Sequence, residues 1–521
     1  MRRDFYTDEV IEDQSGVDSL TVSALYSRRR IRAVYTDILK GSGIYAIASI
    51  AGPLLGIALL PIYTRHLSPS DYGILELLDL TLVLFSVFAG GSLPLAIFYY
   101  FTEAPTEEER NKVISTALLG SFLLGAVGCT AGLLGSVALS NVVFQSPTFA
   151  PYFRLLFLGF AVTLPLETAL AWLRTVNLQV PFVLVSVTRL VVSAATNIVC
   201  LTLLHLGLAS MLWGTIVGAT SLGLVVGGIG LRRSGFRFDL RLFYKLCRYA
   251  LPTGLMGLAM FVVNFGDRYF LKRHVSLATL GTYGLAYRIG MLIAWVQTPF
   301  NSYWTARMYQ IVRGPDGDRL YARVCTYYTL ILSYCALLLV VFSGAAMNWL
   351  VGKAFWPAAA LIPWIAGIYL IRAIAGYFRF ALYLVGKPGL DAQLSWASAL
   401  TCIAGYVVLI PRFGVAGAIA ATGAAFVVLL IVSLWTAQRV RHFPLEINRL
   451  VKVVFIAFSL SCVFLITAPE TAALRIAFGI VVAALYPLML ILARVPTKDE
   501  SDTMAARLRD WCAMLVSHSK G

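Results

Sequence analysis

Long apolar runs separated by short polar turns set the pattern of the chain. From Ser42 to Tyr63 roughly 22 residues carry no formal charge, enough to cross a hydrocarbon core of about 30 Å. The polar turn Arg65-His66-Leu67-Ser68-Pro69-Ser70-Asp71 follows, and Tyr72-Gly73 opens the next run. Length and hydrophobicity mark fourteen such runs, at approximately 42–63, 74–100, 113–139, 152–174, 181–204, 211–230, 249–267, 278–303, 322–346, 357–385, 391–411, 414–437, 450–467 and 475–493. Each is continuous rather than alternating, so it predicts a membrane-spanning helix and not a barrel strand. Pro53, Pro94, Pro165, Pro252 and Pro363 fall inside runs, which membrane helices tolerate.

The first hairpin has an echo. Leu251 to Phe270 is largely apolar, Arg273-His274-Val275-Ser276 makes a turn, and Tyr283-Gly284 opens the following run. "RHLS" then "YG" thus becomes "RHVS" then "YG", with three extra residues between. The basic segment 231–248, LRRSGFRFDLRLFYKLCR, lies between the sixth and seventh runs, where a duplicated six-plus-six protein places its linker. Both halves then begin on the same side, so the repeats are parallel about an axis along the membrane normal. The expected fold is an all-α integral membrane protein of about 14 helices. Its parts are a polar tail (1–40), a six-helix lobe (41–230), a linker (231–248), a second lobe (249–437), two added helices (438–493) and a C-terminal tail (494–521).

Composition agrees with this class. Of 521 residues 59% are hydrophobic and only 13% charged, against about 25% charged in a soluble domain, and the mean hydropathy is +0.79. The first run begins too late and is too long for a cleavable signal peptide. A net charge of +16 would suggest nucleic acid in a soluble protein. Here basic loops on one side of the membrane account for it, and no nucleic-acid partner is expected. With both termini cytoplasmic, some 30 of the 42 lysines and arginines fall on inner segments and about 7 on outer loops, the bias of the positive-inside rule. Within the tail, Arg28, Arg29, Arg30 and Arg32 join Ile31, Tyr35, Ile38 and Leu39 in a basic amphipathic pattern, a surface for the inner membrane face or a partner.

The eight cysteines form no CxxC and no outer-loop pair, so metal and disulfide chemistry are not expected. No loop holds a soluble domain; the largest outer one is Ser140 to Tyr152. There is no GxxxxGK[ST], no GxGxxG after a strand and no nucleophile elbow, which argues against an ATPase on this chain.

Charges inside the runs carry the chemistry, because each costs about 2.5–3.5 kcal/mol at the helix centre unless it faces a cavity or a partner. Five are basic: Arg154, Arg189, Arg288, Arg372 and Arg379. Arg154 is near an outer end and can snorkel. Arg372 and Arg379 share one face with Gly376 between them. The acids are Glu76, Asp79, Glu167 and Asp267. Glu76 and Asp79, three apart, bind a cation or proton or pair with an arginine. Glu167 and Arg189 fall at similar depth on consecutive helices and suit an ion pair. Asp267-Arg268 caps its hairpin or gates a path. Positive charge exceeds negative, which suits an anionic ligand such as a phosphate; the alternative is a set of structural ion pairs. Aromatics are dense around Tyr99-Tyr100-Phe101, Tyr287, Trp295, Phe300, Tyr303-Trp304, Tyr369 and Tyr377, an interface belt with room in it for a sugar path.

The stretch LLPIYTRHLSPSDYGILELL resembles the start of bacterial lipid-linked oligosaccharide flippases. These are the O-antigen and exopolysaccharide transporters of the multidrug/oligosaccharidyl-lipid/polysaccharide exporter superfamily. FGDRYFLKRHVSLATLGTYGLAYRIG is similar to that family's seventh and eighth helices. The resemblance implies two six-helix lobes around a central cavity, two extra helices, alternating access, an inner-membrane location and no cofactor. It implies an undecaprenyl-diphosphate substrate bearing an oligosaccharide, with membrane lipids and other polysaccharide-assembly proteins as partners. The cationic lumen of the family is matched here by Arg189, Arg288, Arg372 and Arg379. Asp267-Arg268 matches the acid–base pair of the seventh helix, and with Glu76 and Asp79 forms the gating or ion-coupling set. A transporter makes and breaks no bond, so no enzyme is expected. Two alternatives remain: a drug–cation antiporter of the same superfamily, which should carry an acid in its first span where this chain has none, and a membrane polymerase, which needs a longer outer loop.

Overall fold

The computed structural model describes residues 51–496 except 53, 91 and 315. The tail 1–40, the start of the first span and the segment 497–521 lie outside the described residues. Within them the chain is helical, without strands. After α1, described over 54–66, come α2 (Pro69–Phe88), α3 (Leu93–Glu103), α4 (Glu107–Phe144), α5 (Ala150–Thr175), α6 (Gln179–Thr202), α7 (Ala209–Ser234) and α8 (Leu240–Phe265). The short α9 (Asp267–Leu271) leads to α10 (Leu277–Gly290), α11 (Leu292–Arg313), α12 (Gly317–Leu350), α13 (Ile362–Leu384), α14 (Pro388–Val440), α15 (Ile447–Thr467) and α16 (Ala472–Leu492).

Among the described residues, eleven helical segments are long and apolar enough to cross a membrane. One of them, α14, would measure about 80 Å if straight, far beyond a bilayer core. Gly414, at φ 55° and ψ −125°, breaks it, and glycine alone takes that conformation without a side-chain clash. The two limbs fold back on each other: Tyr406 and Thr422 hydroxyls meet at 3.0 Å and the Ser398 hydroxyl donates to the Ala425 carbonyl at 3.5 Å. The sequence boundary between 411 and 414 falls at this turn. Elsewhere expected single runs are interrupted: Gly90, at φ 94°, lies between α2 and α3, and the chain kinks at Met291 between α10 and α11.

The expected linker 231–248 is mostly helical, leaving only 235–239 between α7 and α8. Asp239 is the reason. Its carboxylate accepts from the amides of Arg241 (2.8 Å) and Leu242 (3.1 Å) and pairs with Lys112 at 2.6 Å, capping α8 nine residues before the apolar run starts. Lys112 and the Leu242 amide hold this carboxyl down at about 2. The Arg237 and Asp239 amides bond Ser115 and Thr116 of α4 at 3.2 and 3.3 Å, which ties the start of α8 to the N-terminal half.

α4 packs on α5, and α5 and α6 pack on α7. In the C-terminal half α13 packs on α14 and α12, and α15 and α16 lie against α12. The most extensive contact between the halves is α2 on α10. It rests on Gly73 and Gly281: a methyl group on Gly73 would collide with the Leu277 carbonyl, and one on Gly281 with the Pro69 carbonyl. Both helices start from a serine cap, Ser68 accepting from the Asp71 amide and Ser276 from the Thr279 amide, each at 3.2 Å. Each glycine sits five residues after its cap. The partner of Gly73 is therefore Gly281 and not Gly284, and the two hairpin motifs align without inserted residues. Backbone approach at the crossing sets the register, and the repeated Tyr-Gly letters do not.

Candidate functional site

One turn along α2 from the glycine crossing, Glu76 turns toward α10, and Asp79 follows three residues later. α10 presents Tyr283, Tyr287 and Arg288, and α9 presents Asp267 and Arg268. The expected gating residues and Arg288 thereby meet in one charged cluster. Arg268 is 1% exposed; its guanidinium donates to Asp267 at 2.6 Å and lies 3.4 Å from Glu76. The Tyr287 ring stands 4.1 Å from that guanidinium, so a π-face offsets part of its desolvation. The Tyr283 hydroxyl donates to the other oxygen of Asp267. A buried charge without such partners would cost several kcal/mol.

Arg288 is held differently. Its side chain is half exposed, and its contacts with Glu76 (3.5 Å) and Asp79 (3.8 Å) are long. Glu76 thus bridges a locked arginine and a loosely held one. Glu76, Asp79, Arg268, Tyr287, Arg288 and Met291 line a cavity of about 170 Å³. A methyl on Gly284 would stand 3.0 Å from the Glu76 carboxyl carbon, so the small residue leaves Glu76 room to lie over α10.

The other arginines separate into two kinds. Arg379 is bound to Asp391: its Nη2 donates at 2.8 Å to that carboxylate and at 2.8 Å to the Ser395 hydroxyl, and its Nε makes a second contact with Asp391. Arg189 pairs with Glu167 at 2.6 Å, at the similar depth their spacing implied. Arg372 has no carboxylate partner among the described residues. It lies half-buried between rings, 5.4 Å from Tyr369 and 5.8 Å from Phe426. Beside it a methyl built on Gly376 meets nothing within 4 Å, so this side of α13 is open between Arg372 and Arg379. Tyr369 in turn approaches Tyr287 at 6.2 Å, which connects Arg372 to the charged cluster through aromatic rings.

The Glu167–Arg189 contact carries a direct expectation. Reversing either charge alone should lower the amount of folded protein. Glu167→Arg combined with Arg189→Glu should recover most of the loss, a coupling of about 1 kcal/mol. Membrane-inserted protein measured across the four variants decides it; strictly additive losses would show that the contact has no energetic weight.

Sequence reasoning missed Asp391, the partner of Arg379, and the roles of Tyr283, Tyr287 and Tyr369. Asp391 begins its run just past the turn Gly386-Lys387-Pro388, so a hairpin drawn there would have brought it back to Arg379. The tyrosines carried no comparable signal. The structure also divides the aromatic residues. Trp304 is buried, 5.7 Å from Tyr377, whose hydroxyl donates to the Tyr321 carbonyl at 2.8 Å; these pack the core. Trp295 and Tyr303 are open.

The sequence model of the family described as "Polysaccharide biosynthesis protein" matches residues 38–304. A search of the curated proteins finds no match. Solved structures share the fold at low identity. One is the lipid II flippase MurJ in an inward closed conformation, with a TM-score of 0.68 at 14% identity over 86% of this chain and 98% of that one. A multidrug resistance transporter of the MATE family in an inward-facing conformation gives 0.62 at 15% identity over 76% and 98%. An outward-facing MATE structure gives 0.55 at 15% identity over 77% and 95%.

Proposed function

This chain belongs to the polysaccharide biosynthesis protein family, and on that premise we propose that it is a flippase. Its substrate is an undecaprenyl-diphosphate-linked oligosaccharide, carried across the bacterial inner membrane by alternating access for O-antigen, exopolysaccharide or lipopolysaccharide assembly. The observation that carries this reading is Arg372, a half-buried guanidinium inside a membrane-spanning helix, next to the open position at Gly376 and with no carboxylate partner among the described residues. A diphosphate cannot cross hydrocarbon unaided because its desolvation is too costly. Two arginine forks offset that cost through paired, charge-assisted hydrogen bonds. Arg372, held by the Tyr369 side chain and by no carboxylate among the described residues, can turn to a phosphate, and Arg288 is loosely enough held to change partner. Arg189 and Arg379, each already paired, support the walls, with Arg379 at the cytoplasmic end of α13. Residues 41–230 and 249–437 form the two lobes, with both termini in the cytoplasm. In that orientation the Ser68 and Ser276 turns face outward, and the α2–α10 crossing closes the outer side. Glu76, Asp79, Asp267 and Arg268 act as its gate. Neither bond making nor bond breaking is required, so the chain works as a transporter and not as an enzyme.

A second reading has its own support. The cluster sets three carboxylates against two guanidiniums, which suits a cation, and a multidrug resistance transporter of the MATE family shares the fold. One experiment separates the two. Purified protein is placed in vesicles holding fluorescent undecaprenyl-diphosphate-oligosaccharide, and the share reachable by a membrane-impermeant quencher is followed. The flippase reading expects transbilayer equilibration that protein-free vesicles lack. No movement of the lipid, together with exchange of a cationic dye for protons, would replace it with the antiporter.

A further inference from the structure

α11 continues the Arg288 helix past the kink at Met291, and its two sides differ. One side packs: Ile293, Trp304 and Met308 are buried against the C-terminal half. The opposite side is open. Trp295, Tyr303 and Tyr309 expose 37%, 52% and 39% of their surfaces there, and Thr298, Thr305 and Gln310 are exposed among them. At a rise of 1.5 Å per residue the three rings stand at successive heights. Trp295 is about 10 Å past Arg288, Tyr303 about 12 Å further and Tyr309 about 9 Å beyond that. The Arg307 guanidinium sits 5.4 Å from the Tyr303 ring, which orients that ring without burying it. Val296 (45%) and Pro299 are exposed on the same side, so the face sets three flat rings and several hydroxyl and amide groups among a few aliphatic ones.

Resting on the flippase reading above, we propose that this face of α11 is the glycan subsite: sugars attached to a diphosphate held at Arg288 lie along Trp295, Tyr303 and Tyr309. A pyranose has an apolar C–H face and a rim of hydroxyls. Aromatic rings accept the first; for the second, the Thr298 hydroxyl, which donates to the Ala294 carbonyl at 3.2 Å, keeps acceptor lone pairs, and the Gln310 amide supplies both donors and an acceptor. The glycan is covalently joined to the diphosphate, so its path must start beside the arginines. α11 is the continuation of the helix that bears Arg288. Rings reward any sugar with an exposed apolar face, so the subsite selects for the presence of a glycan more than for one hydroxyl pattern.

The test compares binding of undecaprenyl diphosphate alone with that of lipid-linked oligosaccharide extracted from a strain that makes it, using the purified full chain. Wild-type protein should bind the glycan-bearing lipid more tightly. Trp295→Ala with Tyr303→Ala should lose about tenfold of that advantage and leave bare undecaprenyl diphosphate unaffected. Trp295→Phe with Tyr303→Phe keeps the rings and should retain most of it. As a second measurement, the thiol introduced by Tyr303→Cys should be shielded from a water-soluble maleimide by the glycan-bearing lipid but not by undecaprenyl diphosphate. An unchanged glycan advantage in the alanine variant, equal loss of both lipids, or equal labelling in both lipids would each overturn the subsite. A wild-type protein that binds neither lipid would instead overturn the flippase reading on which it rests.

Discussion

Replacing Arg372 by alanine should all but abolish glycan export while leaving membrane protein at its normal level. The two halves of this expectation have separate physical grounds. Export falls because hydrogen bonds to charged groups are worth about 1.5–3 kcal/mol each, or roughly ten- to a hundredfold in binding per lost contact, and a guanidinium makes two. Abundance holds because no carboxylate among the described residues depends on Arg372: its neighbours are the Tyr369 and Phe426 rings, and removing it strands no buried charge among them. Arg379→Ala differs, since it removes the ion-pair partner of Asp391 and leaves that carboxylate only the Tyr383 hydroxyl, and should lower abundance and export together. Arg288→Ala should fall between, because Glu76 keeps Arg268 as a partner while Asp79 loses its ion-pair partner. Lysine at 372 keeps the charge and loses the fork, so partial export is expected; glutamate should be worst, because it repels phosphate. Glycan display per unit of membrane protein is the measurement. Normal export by both Arg372→Ala and Arg288→Ala at normal abundance would remove the cationic path from these residues.

Much of this architecture was legible because lipid is a demanding solvent. A span needs about twenty apolar residues, so runs such as 450–467 and 475–493 announce α15 and α16 within a few residues. Depth is also readable along one helix, which is why Glu167 and Arg189 could be matched at neighbouring spans. What the letters did not contain was which helix packs on which. Glu76 and Arg288 are 212 residues apart and meet only because α2 lies on α10, so of the two roles the acid pair suited, a cation site or an arginine partner, packing supplies the arginine. The surplus of positive charge in the spans shrinks for a similar reason: Asp391, the first residue of its run and absent from the acids read there, pairs with Arg379. That Arg372 has no carboxylate partner among the described residues is likewise decided by packing and not by its own helix.

The register of the repeat leads to the second large effect. Gly281→Val should stop export and open the side of the molecule that carries Ser68 and Ser276. A valine there meets the Pro69 carbonyl, and Gly73→Val meets the Leu277 carbonyl. Both obstacles are helix backbone and cannot rotate away as a side chain can. The helices must separate, and closed packing of this kind does not yield by small amounts. Glu76 then draws away from Arg268 and Arg288, so the charged cluster opens with the crossing. Two neighbouring positions separate this effect from a general intolerance of change. Gly284→Ala approaches only the end of the Glu76 side chain, at 3.0 Å, and should export with a modest loss. Gly367→Ala on α13 has nothing within 4 Å and should be neutral or slightly stabilising, since alanine favours the helix by about 0.5–1 kcal/mol. The state of the crossing can be read with Thr282→Cys, buried beside it at 9% exposure. A water-soluble maleimide should label that cysteine slowly in the otherwise native chain and quickly when Gly281→Val is added. Normal export by Gly281→Val, with Cys labelling still slow, would mean that the backbones have slack and that the crossing is not what closes this face.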